Sequence, residues 1–288
     1  MLVIAIASQK GGSGKTTLSG HLAVEAERVG AGPVTLIDTD PQGSLSEWWN
    51  VREAGTPQFA KVGAFELQSA LTHLANTGTQ LAIIDTPPAI SDAISHVIAH
   101  ADLVIVPTRP SPHDLRAVGA TLDMGECFGK PMIFVINGAT ARARITGEAA
   151  VALSQHGTVA PVFLHHRTDF AASMVDGRTV GEVVPKSPSA KEITGLWRYI
   201  QDRLARLTKQ TSVMPDSRVS PSRLAVRDPA MSVEADNGIV LQVRVVGEVP
   251  LADRFYYEGP ERRSVDRTEN PLPAAFLAAQ EDHGDVLK

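Results

Sequence analysis

Gln9-Lys10-Gly11-Gly12-Ser13-Gly14-Lys15-Thr16-Thr17 is the stretch on which the reading of this chain turns. It follows an apolar run over residues 2–7. It opens a segment with helical spacing over 16–29, in which Leu18, Leu22 and Ala26 share one side. In a strand–glycine loop–helix setting the backbone curls so that successive N–H groups face a phosphate chain. The helix aims its positive end at the same place. Lys15 is placed to reach the β- and γ-phosphates, and the Thr16 hydroxyl to ligate Mg²⁺. The general phosphate-loop pattern has a glycine where this chain has Gln9. Here Lys10 stands in front of a glycine pair instead.

Outward from the loop, short apolar runs recur at 34–37, 81–84, 103–106 and 132–136. They are rich in Val, Ile and Leu without strict alternation, as strands buried on both faces of a parallel sheet are. Helical spacing between them, at 89–100 and 114–127, predicts a doubly wound α/β fold, mostly parallel, with helices on both faces. A last helix is expected over 189–207, with Ser189 as its N-cap. After about Lys209 the composition changes. Residues 211–236 read as a linker, 239–249 as a strand or hairpin and 274–280 as a short helix. The expected division is therefore a doubly wound domain over 1–207 and an irregular C-terminal extension over 208–288.

Two of the runs end in carboxylates. Residues 34–37 lead into Asp38-Thr39-Asp40-Pro41-Gln42-Gly43, with two carboxylates at i and i+2 at the strand end, where doubly wound sheets bind ligands. A loop Asp capping a helix over 44–51 is the plainer alternative. Residues 81–84 deliver Asp85, followed by Thr86-Pro87-Pro88. An apolar strand delivering one carboxylate is the Walker B arrangement, which holds Mg²⁺ through water.

Lys10-Gly11-Gly12-Ser13-Gly14-Lys15-Thr16-Thr17 resembles the deviant Walker A motif of the ParA/MinD family of P-loop ATPases. The resemblance extends over about residues 1–207. It implies that Lys10 reaches across an ATP-sandwich dimer to the partner's phosphates, neutralising charge on the transferring phosphoryl group. It further implies that Asp40 orients the attacking water, that Asp38 lies near Mg²⁺, and that Asn137 and Pro185 border the adenine. An Asn that serves only its own turn is the alternative for Asn137. The cofactors implied are ATP and Mg²⁺. The partners implied are a second copy of the chain, non-specific DNA and a ParB-like or cargo adaptor that stimulates hydrolysis.

The chain has 288 residues, a single cysteine and a net charge of −5. One cysteine excludes disulfide frameworks and multi-thiolate iron–sulfur sites within the chain, and it fits a reducing cytoplasm. It also sets aside the iron-protein relatives. No long apolar run predicts a membrane span, and the apolar start reads as a strand and not as a secretion signal. The acidic end differs from the basic amphipathic helix of MinD proteins. With no helix-turn-helix before the first strand, the chain resembles the short ParA type.

The first 204 residues carry 16 Lys+Arg against 19 Asp+Glu, so DNA attraction would have to be local. The candidate contacts are Arg142, Arg144, Arg167, Arg178, Lys186 and Arg198, against a background of ordinary surface charge. The adjacent His165 and His166 are expected to face opposite ways on a strand and to hold no metal. The expected function is an ATP-dependent dimerising ATPase that partitions or positions a cargo, cytoplasmic and nucleoid-associated when ATP-bound. Its rivals are a nucleotide-switched scaffold, a pole- or membrane-positioning ATPase of the MinD type, and a metabolic ATP-dependent ligase of the same superfamily.

Overall fold

In the computed structural model, residues 1–88 and 92–213 are described. Eight strands run through them: β1 (Leu2–Ile6), β2 (Val34–Asp38), β3 (Gln58–Lys61), β4 (Leu81–Asp85), β5 (Leu103–Thr108), β6 (Met132–Ala139), β7 (Thr158–Val159) and β8 (Leu164–His165). They form one sheet in the order β3-β2-β4-β1-β5-β6-β7, with β8 pairing β6, and every pairing is parallel. The doubly wound expectation is met. β1 lies between β4 and β5, and the crossover from β1 runs toward β2 while that from its neighbour β5 runs toward β6, in opposite directions along the sheet. The crevice this opens at its carboxyl end is where such sheets take ligands.

Every residue of β2, β4 and β5 is buried, which is why these runs show no polar alternation. Alternate side chains enter two separate cores. Ile4, Ile6, Ile83, Ile105 and Val135 face one side, where Leu18 and Leu22 of α1 (Lys15–Arg28) and Trp48 of α2 (Ser44–Asn50) cover them. Leu196, Trp197 and Ile200 of α10 (Pro188–Val213) complete that layer. Val3, Ala5, Ile84, Val104 and Phe134 face the other side. There they meet α3 (Leu67–Asn76), α4 (Asp92–His100), α6 (Gly119–Cys127) and α7 (Arg144–Ser154) through Leu71, Ile98, Leu122 and Leu153. α1 is buried on more than one stripe: Ser19, Gly20 and His21 are buried as well. At Gly20 an added Cβ would lie 3.3 Å from Met174 and 3.5 Å from Trp48, so a hydrogen side chain lets these elements close over the helix.

Four sequence expectations are corrected here. The helix expected over 114–127 is two, α5 (Pro112–Ala117) and α6, separated at Val118. Ser111 caps α5 and Pro112 sits at its first position. Beside Gly119, a poor helix former, the ladder tightens to a three-residue bond from Val118 N–H to the Leu115 carbonyl. β3, β7 and β8 were not expected: β3 is a half-exposed edge of four residues, and the others have two each, too short to show a period. The short helices α8 (Thr168–Met174) and α9 (Val180–Val183) were also not expected, although Thr179 and Glu182 form a complete capping box at α9. Finally, α10 (Pro188–Val213) starts one residue before Ser189 and runs beyond 207. Ser187 takes the capping role, accepting from the Ala190 N–H at 3.1 Å. The Ser189 hydroxyl instead donates to Asp169 at 2.7 Å. The readings for residues 214–288, including the strand at 239–249 and the helix at 274–280, lie outside the described residues. So do residues 89–91 at the start of the helix expected there.

Candidate nucleotide-binding site

The loop between β1 and α1 is built by its glycines. Gly12 and Gly14 have φ of +72° and +92°, in the left-handed region that a side chain resists. An added Cβ at Gly14 would collide with the Asn137 amide. That amide donates to the Ser13 carbonyl at 2.6 Å and ties the loop to the end of β6. Asn137 thus serves as a clamp on the phosphate loop, which the sequence alone did not reveal.

The carboxylates gather beneath Lys15. The Asp85 carboxylate accepts from the Thr16 hydroxyl at 2.7 Å and the Ser19 hydroxyl at 3.2 Å. Ser19 lies one turn after Lys15 and also donates to its carbonyl at 3.0 Å. Burial pushes the Asp85 carboxyl up to about 7. The neighbouring Asp38 adds to the rise, while the Thr16 hydroxyl, Lys15 and Ser19 oppose it. The Lys15 ammonium is itself buried. Desolvation lowers its pKa, against the pull of Asp85 and then Asp40.

Asp38 is fully buried and both of its oxygens are engaged. One accepts the Asp40 N–H at 3.0 Å, the other the Ser46 N–H at 2.9 Å and the Ser46 hydroxyl at 2.6 Å. The carboxylate that caps α2 is therefore Asp38, reaching eight residues along the chain. Asp40 is half-buried and accepts the Gln42 N–H at 2.9 Å, which holds the turn after β2. Thr39 and Thr86 lock the strand ends in place, donating to the carbonyls of Asp85 at 2.7 Å and Ile6 at 2.9 Å.

These residues suit Mg²⁺-bound phosphate. Among the described residues no cluster of three or more His, Cys, Asp or Glu could hold a metal alone. A hard ion that keeps waters and phosphate oxygens needs few protein ligands. The Thr16 hydroxyl beside a buried carboxylate with a raised pKa supplies a fitting pair. The buried Ser13 hydroxyl and Gln9 side-chain amide have no protein hydrogen-bond partner, so the loop retains unused polar atoms at its mouth.

Lys10 and Gly11 are exposed, in contrast to Lys15. On the far side of the loop a cavity of about 340 Å³ is bordered by Gly14, Thr17, Asn137, Arg109, Phe170 and Ile193. Pro185 is exposed and does not line it, whereas Asn137 does. His165 and His166 both border this cavity. β8 ends at His165 and the pairing slips in register between Asn137 and Ala139, so strand alternation is lost there. His165 is held by Glu192, which takes its N–H at 3.0 Å and contacts its ring nitrogen at 2.8 Å.

Behind the loop, His21 contacts the Thr17 carbonyl through Nδ1 at 2.8 Å and accepts the Val180 N–H at Nε2 at 3.2 Å. Burial holds its pKa down at about 4, against the Thr17 carbonyl, Glu182 and Asp169. It joins the loop helix to α9 as a neutral ring, a link with no motif to betray it.

The proposed DNA contacts fall into two groups. Arg144 pairs with Glu148 at 2.9 Å, Arg167 with Glu192 at 2.7 Å, and Arg178 with Asp176. Arg142, Lys186 and Arg198 are exposed and no ion pair engages them among the described residues.

Residues 4–257 match the model of the CobQ/CobB/MinD/ParA nucleotide binding domain. The chain is 29% identical over 200 residues to the maintenance of carboxysome distribution protein A of Halothiobacillus neapolitanus, spanning 66% of this chain and 91% of that protein. It is 33% identical over 123 residues to the protein ParA of Rhizobium radiobacter, spanning 42% of this chain and 54% of that protein. The fold is similar to that of Cyanothece McdA solved in complex with ATP. The TM-score is 0.54 at 18% identity, over 70% of this chain and 96% of that one. With a glycine loop in left-handed backbone, a buried lysine and a carboxylate on the adjoining strand, this chain belongs to the CobQ/CobB/MinD/ParA family of nucleotide-binding domains.

Proposed function

We propose that this chain is a Mg²⁺-dependent ATPase that pairs with a second copy of itself around two ATP molecules and positions a cargo. The observation that carries the reading is the contrast between its two loop lysines. Lys15 is buried over its own carboxylates, where it serves phosphate bound in cis. Lys10 is exposed at the loop's outer edge, free to enter a neighbour's site. A cation supplied in trans to a developing phosphoryl charge makes hydrolysis depend on pairing.

Lys15 and the loop amides bind the β- and γ-phosphates, and Asn137 holds the loop in its binding shape. Thr16 and Asp85 would hold a Mg²⁺ ion, which when bound would neutralise charge on those phosphates. Asp40, in the turn beside Lys15, orients the attacking water. Asp38 keeps that turn and α2 fixed to the sheet. The base lies in the cavity beside Asn137. The relatives named for carboxysome distribution and for ParA support cargo positioning over ligase chemistry. The nucleotide-bound dimer holds non-specific DNA weakly through Arg142 and Lys186, with Arg144, Arg167 and Arg178 as partly neutralised neighbours. A ParB-like or cargo adaptor stimulates its turnover, and the protein works in the cytoplasm without inserting into a membrane. Among the described residues no helix is long and apolar enough to cross one.

Sedimentation with a non-hydrolysable ATP analogue tests the reading. The wild-type chain should dimerise and Lys10→Ala should stay monomeric while still binding nucleotide. A Lys10→Ala chain that pairs and turns over normally would remove the trans role.

A further inference from the structure

We infer that Arg109 is a second phosphate-binding cation, working within its own subunit on the β- and γ-phosphate end of the nucleotide. The inference rests on the nucleotide-binding reading above and adds a residue to that site. Arg109 directly follows β5, the strand between β1 and β6. Its side chain lies across the groove separating the end of β6 from the phosphate loop. A Cβ at Gly138 would be 3.7 Å from its Cγ, and one at Gly12 would be 3.8 Å from its Nη2. Both glycines have positive φ, +68° and +72°, so both edges of the groove are bare backbone over which the guanidinium passes. Arg109 also borders the cavity that Gly14, Thr17 and Asn137 line.

Its charge is uncommitted. Arg28, Arg52, Arg144, Arg167 and Arg178 each pair with a carboxylate, whereas no ion pair engages Arg109 among the described residues, and it is exposed. A triphosphate with one Mg²⁺ remains anionic, and the buried Lys15 does not by itself neutralise it. Lys10 arrives only with a partner. A guanidinium beside the glycine pair supplies the missing positive charge in the unpaired subunit, in a fork geometry suited to phosphate oxygens. Duplex DNA offers the same phosphate chemistry. The groove and the adjoining cavity favour the nucleotide.

The test is fluorescence competition with a labelled ADP, with unlabelled ATP, ADP and AMP as competitors, in Mg²⁺ buffer. It compares the wild-type chain with Arg109→Ala and Arg109→Lys. Arg109→Ala should weaken ATP and ADP about 10-fold, the scale of one charge-assisted contact, and leave AMP within 2-fold. Arg109→Lys should recover part of the loss as a point charge. Because the side chain is exposed, thermal melting should not move. Unchanged ATP and ADP affinities would overturn the inference, and so would an equal loss for AMP, which would put the guanidinium at the ribose or base. Loss confined to retention on random duplex DNA would overturn it in favour of a nucleic-acid contact. A wild-type chain that binds no nucleotide would overturn the parent reading and this inference with it.

Discussion

The two sides of the phosphate loop handle charge in opposite ways. On the β2–β4 side the carboxylates are buried: Asp38 and Asp85 lie inside the sheet edge, with hydroxyls and backbone N–H groups already aimed at them. On the β5–β6–β8 side the charges are cationic and more exposed. Among the described residues no ion pair engages Arg109, and Arg167 and His165 share Glu192. Buried carboxylates cost desolvation until a cation compensates them, so the first side is prepared for metal and lysine. An exposed arginine such as Arg109 costs little to hold and is open to an anion. The loop lies between a place for positive charge and a place for negative charge, as a metal-bound polyphosphate requires.

The largest expected effect breaks the first side. Asp85→Asn keeps the shape and removes the charge, and should lower Mg²⁺-dependent ATP turnover by about 100-fold or more in a phosphate-release assay. Retained turnover would take Asp85 out of the metal site. Next comes a pH comparison of two buried groups. His21 is held down at about 4, so the unfolded chain binds more protons below 6.5, and stability is lost as pH falls from there toward 4. The full contribution is about 3 kcal/mol. Asp85 is raised to about 7, so the folded chain binds the extra proton, and its contribution to stability is lost as pH rises toward 7. In the apo chain the two slopes oppose each other between about pH 4 and 6.5. Saturating Mg²⁺–nucleotide keeps Asp85 ionised and should expose the His21 slope, which urea midpoints at pH 5 and 6.5 would measure. His21→Gln should flatten that liganded slope. A slope untouched by either change would break the assignment.

On the other side of the loop, Asn137→Ala removes the clamp on Ser13. It should weaken nucleotide binding about 5-fold, read by calorimetry, with smaller effect on melting. An unchanged affinity would mean the loop holds its shape without β6. The smallest effect belongs to Arg144→Ala. Its side chain is 92% exposed and its pair with Glu148 is a surface contact, so urea stability should shift by less than about 0.5 kcal/mol. A larger shift would show that this surface is not merely solvated.

How far the sequence could be read varied with the range of the interactions. The phosphate loop, Asp85 and the five long strands were legible because each is a contiguous run with its own local signal. Asp38 was legible as a strand-end carboxylate, but its capping of α2 was not, since the contact spans eight residues around a turn. The Asn137–Ser13 clamp joins positions 124 residues apart, and the His21–Val180 link joins positions 159 apart. No window of sequence contains either. Arg109 lies just past the apolar run at 103–106 and carried no pattern of its own.

What the sequence by itself determined was the order of apolar runs and the glycine loop, hence a doubly wound sheet with a phosphate site at its carboxyl edge. Apolar runs and glycine conformations are written in residues close along the chain. Only the tertiary structure decided which lysine is buried, which arginines are already paired, and which side chains fasten the loop from across the sheet. Those depend on desolvation and on distances between remote segments, quantities that exist only once the two cores have closed.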